Sequence, residues 1–255
     1  QSISNSLLPL FKMSSGGYDR YITIFSPEGR LYQIEYAFKA IRSMGLDCMG
    51  LRGKDCTVLV SQKKIKDKLI DPTSVTSMYQ ITDFVGCVMT GLIGDCKALV
   101  TQARAEAAEY RYNYGYAMPC RVLAMRMADL AQVYTQHAGR RAYAGMMILC
   151  AVDDEAGPQL YKEDPAGHFF GFKAVAAGPK YLESTTRLEK RIKEDGNEEN
   201  TETTIRNVIM ELQAVLSTDF KASEIEVAVV EGQNKFRTLS LEEIDEHLTA
   251  IAERD

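Results

Sequence analysis

The chain has 255 residues, 45% of them apolar and 25% charged, and its 30 basic against 35 acidic side chains leave a formal charge of −5. A chain of this size buries roughly 70% of the surface it exposes unfolded, so stability requires neither disulfides nor a metal. The acidic balance argues against a nucleic-acid scaffold, and no apolar stretch reaches the length of a membrane span.

Leu7-Leu8-Pro9-Leu10-Phe11 is too short and too broken by proline for a signal-peptide core. Residues 1–12 read as an added extension, and Ser14-Ser15-Gly16-Gly17 as a small, flexible string. Residues 1–17 are therefore expected to form a flexible tail and 18–255 a single domain. Ser26-Pro27-Glu28 is expected to start a helix running to Ser43, with Leu31, Ile34, Phe38 and Ile41 on its apolar face. Its other face carries Tyr32, Glu35, Tyr36, Lys39 and Arg42, which is unusually aromatic for a face meant only for water.

Two β-type stretches follow, Cys48 to Ser61 and Met78 to Thr90. Lys63, Lys64, Lys66 and Lys68 behind the first read as a solvated strand end or turn. An alanine-rich helix is expected over Asp95 to Tyr114, and after Pro119 a second with Leu123, Met127, Leu130 and Tyr134 on one face. Met146 to Val152, Gln159 to Tyr161 and Phe169 to Ala177, parted by tight turn signals, read as an antiparallel meander. A helix pair follows at Lys180 to Lys193 and Thr201 to Phe220, then strands at Ile225 to Val230 and Phe236 to Leu239. Ser240-Leu241-Glu242-Glu243 is a capping box that opens a last helix. Apolar strand runs interleaved with helix pairs imply one domain of two stacked sheets covered by helices on both sides.

The six cysteines lie far apart, mostly in apolar runs, and read as reduced, buried small hydrophobes in a reducing compartment. His137, His168 and His247 lie apart from one another and from any matching cysteine, so no zinc site and no metal is expected.

The densest stretch is Tyr18-Asp19-Arg20 followed by Phe25-Ser26-Pro27-Glu28-Gly29-Arg30-Leu31-Tyr32-Gln33-Ile34-Glu35-Tyr36-Ala37. It resembles the signature of the alpha-type subunits of the 20S proteasome. The resemblance continues through Arg52-Gly53-Lys54-Asp55, Thr90-Gly91, Tyr134-Thr135-Gln136, Asp164-Pro165-Ala166-Gly167 and Gly178-Pro179. Tyr36 to Ala40, Val58 to Lys64 and Tyr112 to Tyr116 are most similar to the type-6 branch, which takes the first ring position. The resemblance implies an α+β fold, the four-layer αββα sandwich shared with N-terminal nucleophile hydrolases, with an extra N-terminal helix. It further implies a non-catalytic subunit of the cytoplasm and nucleus, serving ATP- and ubiquitin-dependent protein degradation. Its partners would be other alpha-type subunits in a seven-membered ring, beta-type subunits, and regulatory caps and activators. No cofactor, nucleic acid or membrane is implied.

Candidate site residues follow from the same resemblance. Tyr18, Asp19, Arg20 and Pro27 take the gate positions, where tails close the pore and activators push. From the residues alone, Tyr18 to Arg20 fit the start of an ordered segment and Pro27 a helix-start proline, beside the gating reading. Arg30, Tyr32, Gln33, Glu35 and Tyr36 are expected to meet a neighbouring subunit. Many members carry a lysine that pairs with an activator's terminal carboxylate; the aligned activator-pocket position here is Ser77, which leaves the pocket without this subunit's own lysine to make it strong. A second departure is Arg140-Arg141-Ala142-Tyr143-Ala144-Gly145, where Ala142 and Ala144 replace the family's Pro and Gly.

The alternative is a stand-alone N-terminal nucleophile hydrolase, which needs Gly followed by Thr, Ser or Cys at the processed head of a strand. Gly86-Cys87 is such a pair but lies inside an apolar run, and Thr23 follows Ile22. No catalytic residue is expected.

Overall fold

Val58-Leu59-Val60 and Met146 to Cys150 offer no polar side to water, so strands built from them have to be covered on both faces. The computed structural model, which describes residues 23–65, 67–137, 139–153, 155–196, 199–232 and 235–253, covers them in that way. Helix α1 (Tyr32–Met44) precedes the hairpins β1 (Cys48–Arg52) with β2 (Cys56–Gln62) and β3 (Met78–Gln80) with β4 (Val85–Gly91). Helices α2 (Ile93–Tyr114) and α3 (Cys120–Tyr134) lead to β5 (Gly145–Asp153), β6 (Gly157–Glu163), β7 (Phe169–Gly171) and β8 (Ala174–Ala177). Then come α4 (Tyr181–Asp195), α5 (Thr201–Leu216), β9 (Ile225–Glu231), β10 (Arg237–Thr238) and α6 (Leu241–Ala252).

The strands form two five-stranded antiparallel sheets, β10-β9-β2-β1-β8 and β3-β4-β5-β6-β7. Alternation along each strand divides its side chains between two cores. Leu59, Val88, Ile148, Cys150, Leu160 and Ala228 meet between the sheets. Their strand neighbours point outward: Val58, Val60, Val227 and Val229 onto Ile205, Val208, Ile209 and Leu212 of α5. On the other sheet, Cys87, Met89, Met147 and Leu149 pack on Leu99 and Val100 of α2 and Leu123 and Met127 of α3. Burying each Val, Leu, Ile or Met among them contributes on the order of 1.5–3 kcal/mol. The expected αββα sandwich is thus the observed one, and α1 lies across its end with Ala37 and Ile41 against Ala144.

Several expectations are corrected. Ser26-Pro27-Glu28 does not start α1; the helix begins at Tyr32, because Ser26 to Arg30 closes on itself as a separate turn. Cys48 to Ser61 and Met78 to Thr90 are each a hairpin of two strands, the first turning where the Gly53 N–H donates to the Cys56 carbonyl at 2.9 Å. Phe169 to Ala177 is two strands in different sheets: the Phe172 N–H bonds to Leu160 of β6 while the Lys173 carbonyl accepts from Arg52 of β1, so the chain changes sheet between those two residues. Helix α5 stops at Leu216, short of Phe220, because Ser217 turns left-handed at φ 52°.

The capping box forms as expected, Ser240 Oγ accepting from the Glu243 N–H at 3.2 Å while the Glu243 carboxylate accepts from the Ser240 N–H at 2.8 Å. In the departing loop, the Arg141 guanidinium grips Asp95 through two bonds of 2.6 and 2.8 Å, and the Ala144 N–H donates to the same carboxylate at 2.8 Å. Asp95 lies in the first turn of α2, where negative charge is favourable, so one carboxylate ties the helix start to the strand that begins at Gly145.

A Cβ at Gly86 would lie 2.0 Å from the Phe236 ring, so the ring can seat only on a glycine. Gly86→Ala is expected to cost about 1–3 kcal/mol by overpacking, and Phe236→Leu in the same chain to restore part of that loss. Chemical denaturation of the two single variants and the double variant checks this; strictly additive losses would show that the two positions do not meet.

Candidate functional site

The stretch expected to carry function centres on the turn before α1. Ser26 is buried, and its N–H donates to the Arg30 carbonyl while its carbonyl accepts from the Gly29 N–H, both at 2.9 Å. Its hydroxyl oxygen accepts from the Arg30 N–H at 3.2 Å. Gly29 takes φ +77°, a region that disfavours other residues, and closes the turn. Pro27 and Glu28 form the exposed tip. The hydrogen bond with the Ser26 side chain holds the Glu28 carboxyl below its ordinary pKa.

Arg30 reaches forward onto α1. Its Nε and Nη2 donate to the two carboxylate oxygens of Glu35 at 2.8 and 2.5 Å, and its guanidinium lies 4.8 Å from the Tyr32 ring centroid. Tyr32 stacks on Tyr36 at 6.3 Å. Arg30, Glu35, Tyr32 and Tyr36 are therefore one connected surface cluster, and Gln33 lies half-buried in the same turn of α1. The sequence reading placed Tyr32, Glu35 and Tyr36 on one face and grouped Arg30 and Gln33 with them as neighbour contacts; Arg30 instead precedes α1, and the ion pair within the chain, which pre-sets that face, was not legible from sequence. Tyr18, Asp19 and Arg20 lie outside the described residues.

Ser77 lies in a cleft of about 350 Å³ between the end of α1 and the starts of β3 and α2. Its amide and hydroxyl both donate to Glu226 Oε2, at 2.8 and 3.1 Å, and Lys63 Nζ stands 3.6 Å from Glu226 Oε1. Lys64 and Lys97 line the same cleft. Ser77 is thus occupied by a carboxylate of its own chain. Lys63 is not the solvated strand end expected of it: its side chain is 17% exposed and its N–H donates to the Glu224 carbonyl at 2.7 Å. Glu226 was missed altogether. The available signal was a lone carboxylate in the apolar run Ile225 to Val230, but nothing in sequence joins it to a serine 149 residues away.

The hydrolase alternative has its candidate nucleophile in the wrong place. Cys87 sits in the middle of β4, wholly buried, and burial pushes its thiol far above the ordinary range. All six cysteines are free and buried, with Cys96 and Cys120 pushed up to about 12 by burial. Thr23 is also buried. Among the described residues no group of His, Cys, Asp and Glu is placed to hold a metal ion, and no helix is long and apolar enough to cross a membrane.

Comparison with known proteins decides between the two readings. The family described as "Proteasome subunit" matches residues 43–230, and the N-terminal signature of A-type proteasome subunits matches 18–40. The chain belongs to the proteasome alpha-subunit family. It is 54% identical over 239 residues to the probable alpha type-1 proteasome subunit of Schizosaccharomyces pombe, covering 94% of this chain and 98% of the relative. It is 46% identical over 243 residues to the alpha type-6 proteasome subunit of Caenorhabditis elegans, covering 95% and 98%. An archaeal alpha proteasome subunit, from Pyrococcus horikoshii, is 35% identical over 242 residues, covering 94% and 90%. The alpha type is the non-catalytic kind of proteasome subunit, and this chain, with the alpha signature at its head, is of that type.

The alpha signature thus coincides with the self-closed turn and its Arg30–Glu35 clasp. The Arg30 guanidinium holds the Glu35 carboxyl below the ordinary carboxylate range, so the pair persists at neutral pH and opens only as pH falls through that lowered value. NMR titration is expected to show Glu35 titrating at lower pH than free glutamate, and returning to the ordinary range in Arg30→Gln. An unchanged Glu35 titration in that variant would contradict the clasp. Because both side chains are exposed, little change in global stability is expected.

Proposed function

We propose that this chain is a structural and gating member of the 20S proteasome's alpha ring. In this reading it sits in a seven-membered ring of alpha-type subunits stacked on beta-type subunits. The segment before Thr23, with Tyr18, Asp19 and Arg20, closes the axial pore until a regulatory cap docks. The observation that carries the reading is the alpha-type signature over 18–40, which contains the Ser26–Arg30 turn. Pro27 is exposed at the tip of that turn, and its ring stiffens the backbone there. The hydrogen bonds of Ser26 join both arms of the turn, so a displacement of Pro27 moves Ser26 and the chain leading into it. Gating is then a shift between closed and open arrangements of the N-terminal segments.

The same reading gives the face of Arg30, Tyr32, Gln33, Glu35 and Tyr36 to a neighbouring alpha-type chain. The clasp within the chain fixes the charges of that face before a neighbour arrives, which lowers the ordering cost of association. At the Ser77 cleft, an activator's terminal carboxylate would meet Glu226 beside Lys63 and Lys64, so docking there is expected to be weaker than at a cleft with an unpaired lysine. The type-6 likeness favours the first ring position, and the protein would act in ATP- and ubiquitin-dependent degradation in cytoplasm and nucleus.

The test is deletion of Gly16 to Thr23, measured as peptidase activity of the purified complex without a cap. A gate held shut by a few kcal/mol leaves only a few per cent of pores open, so basal activity is expected to rise about tenfold or more. An unchanged rate in an intact complex would remove the gating role and leave the structural one.

A further inference from the structure

A second cavity, of about 200 Å³, opens where α1, the end of β8 and the start of α4 converge. Phe38 and Ile41 of α1 and Ala176 of β8 form apolar walls, and two cations from different elements line it, Arg42 of α1 and Lys162 of β6. Arg42 lies with its guanidinium 5.4 Å from the ring centroid of Tyr181, which also lines the cavity. Lys162 is half-buried: its Nζ donates to the Ala176 carbonyl at 3.4 Å and stands 5.3 Å from the Phe172 ring. An ammonium has three protons to donate, and one long bond to a carbonyl uses little of that capacity. Among the described residues, neither Arg42 nor Lys162 has a carboxylate within ion-pair distance.

The acidic residue at this cavity is Asp164, and its oxygens are already used. Its Oδ1 accepts from the Ala166 and His168 N–H groups at 2.9 and 3.1 Å, and its Oδ2 stands 3.4 Å from His168 Nδ1. With Arg42 and Lys162 positive and Asp164 negative, the lining carries one net positive charge. Burying a cation without a partner is unfavourable, and apolar walls strengthen whatever partner arrives. Desolvation lowers the pKa of Lys162 accordingly, Asp164 offsetting part of the effect.

We propose that this cavity is a receptor for a single monoanionic carboxylate, held between Lys162 and Arg42. At roughly 30 Å³ per water, the volume corresponds to about seven waters, room for a small acid or one acidic side chain of a neighbouring chain. The cavity is made by this chain alone, so the proposal does not depend on ring membership.

The test is sub-stoichiometric acylation of lysines by an N-hydroxysuccinimide acetate ester, with the rate at Lys162 read by mass spectrometry in the full chain and in the assembled complex. A bound carboxylate both shields the amine and holds it protonated, so added sodium acetate is expected to slow Lys162 labelling saturably in the full chain. Arg42→Gln, which removes the charge from an exposed position, is expected to raise the acetate needed about tenfold or more by losing a charge-assisted bond, and Arg42→Lys to recover part of it. Protection in the complex with no acetate added, relieved by Arg42→Gln, would assign the carboxylate to a neighbouring chain. Labelling unaffected by acetate in the chain and by assembly, or protection indifferent to Arg42, would overturn the proposal.

Discussion

The constraint from which the rest follows is that β2, β4, β5 and β9 have no polar face to offer water. Strands buried on both sides have to lie between another sheet and a layer of helices, which yields three apolar cores in series: helices on sheet, sheet on sheet, sheet on helices. The sandwich ends are where polar groups can emerge. That is where α1 lies, where the Ser26–Arg30 turn projects, and where the Ser77 and Lys162 cavities open.

The same scaffold separates this chain from catalysis. In an N-terminal nucleophile hydrolase the head of a strand is a free terminus with an accessible nucleophile. Here the end of the sandwich is covered by α1, and the one Gly-Cys pair is spent on packing: Gly86 makes room for Phe236, and Cys87 is wholly buried against the α2–α3 layer. The space beside the strand ends is given instead to the Arg30–Glu35 ion pair and to the Glu226 carboxylate hydrogen-bonded by Ser77, which present preset surfaces.

What the sequence disclosed depended on the range of the interaction involved. Helices α2, α3 and α6 were legible because their signals are local: apolar spacing, Pro119 before a helix, the Ser240 capping box. Two sheets between helix layers were legible from the unbroken apolar runs. The change of sheet between Phe172 and Lys173 was not, because it depends on Leu160 and Arg52, whose positions only the folded sheets determine. The early start assigned to α1 failed because a serine followed by proline also fits a tight turn, and the Ser26 to Arg30 bonds with Gly29 at positive φ decide for the turn. At the site, the face of α1 was legible by periodicity, whereas Glu226 under Ser77, Lys63 beside it, and Arg42 near Lys162 are tertiary meetings with no local trace.

The central claim is that the fold serves assembly and not chemistry of its own. Native mass spectrometry of the chain recovered from cells at its natural level tests this most directly. The account predicts that it appears only within a large multi-ring particle together with other alpha-type and beta-type subunits. A free monomer that cleaves peptides after losing its N-terminal segment would contradict it.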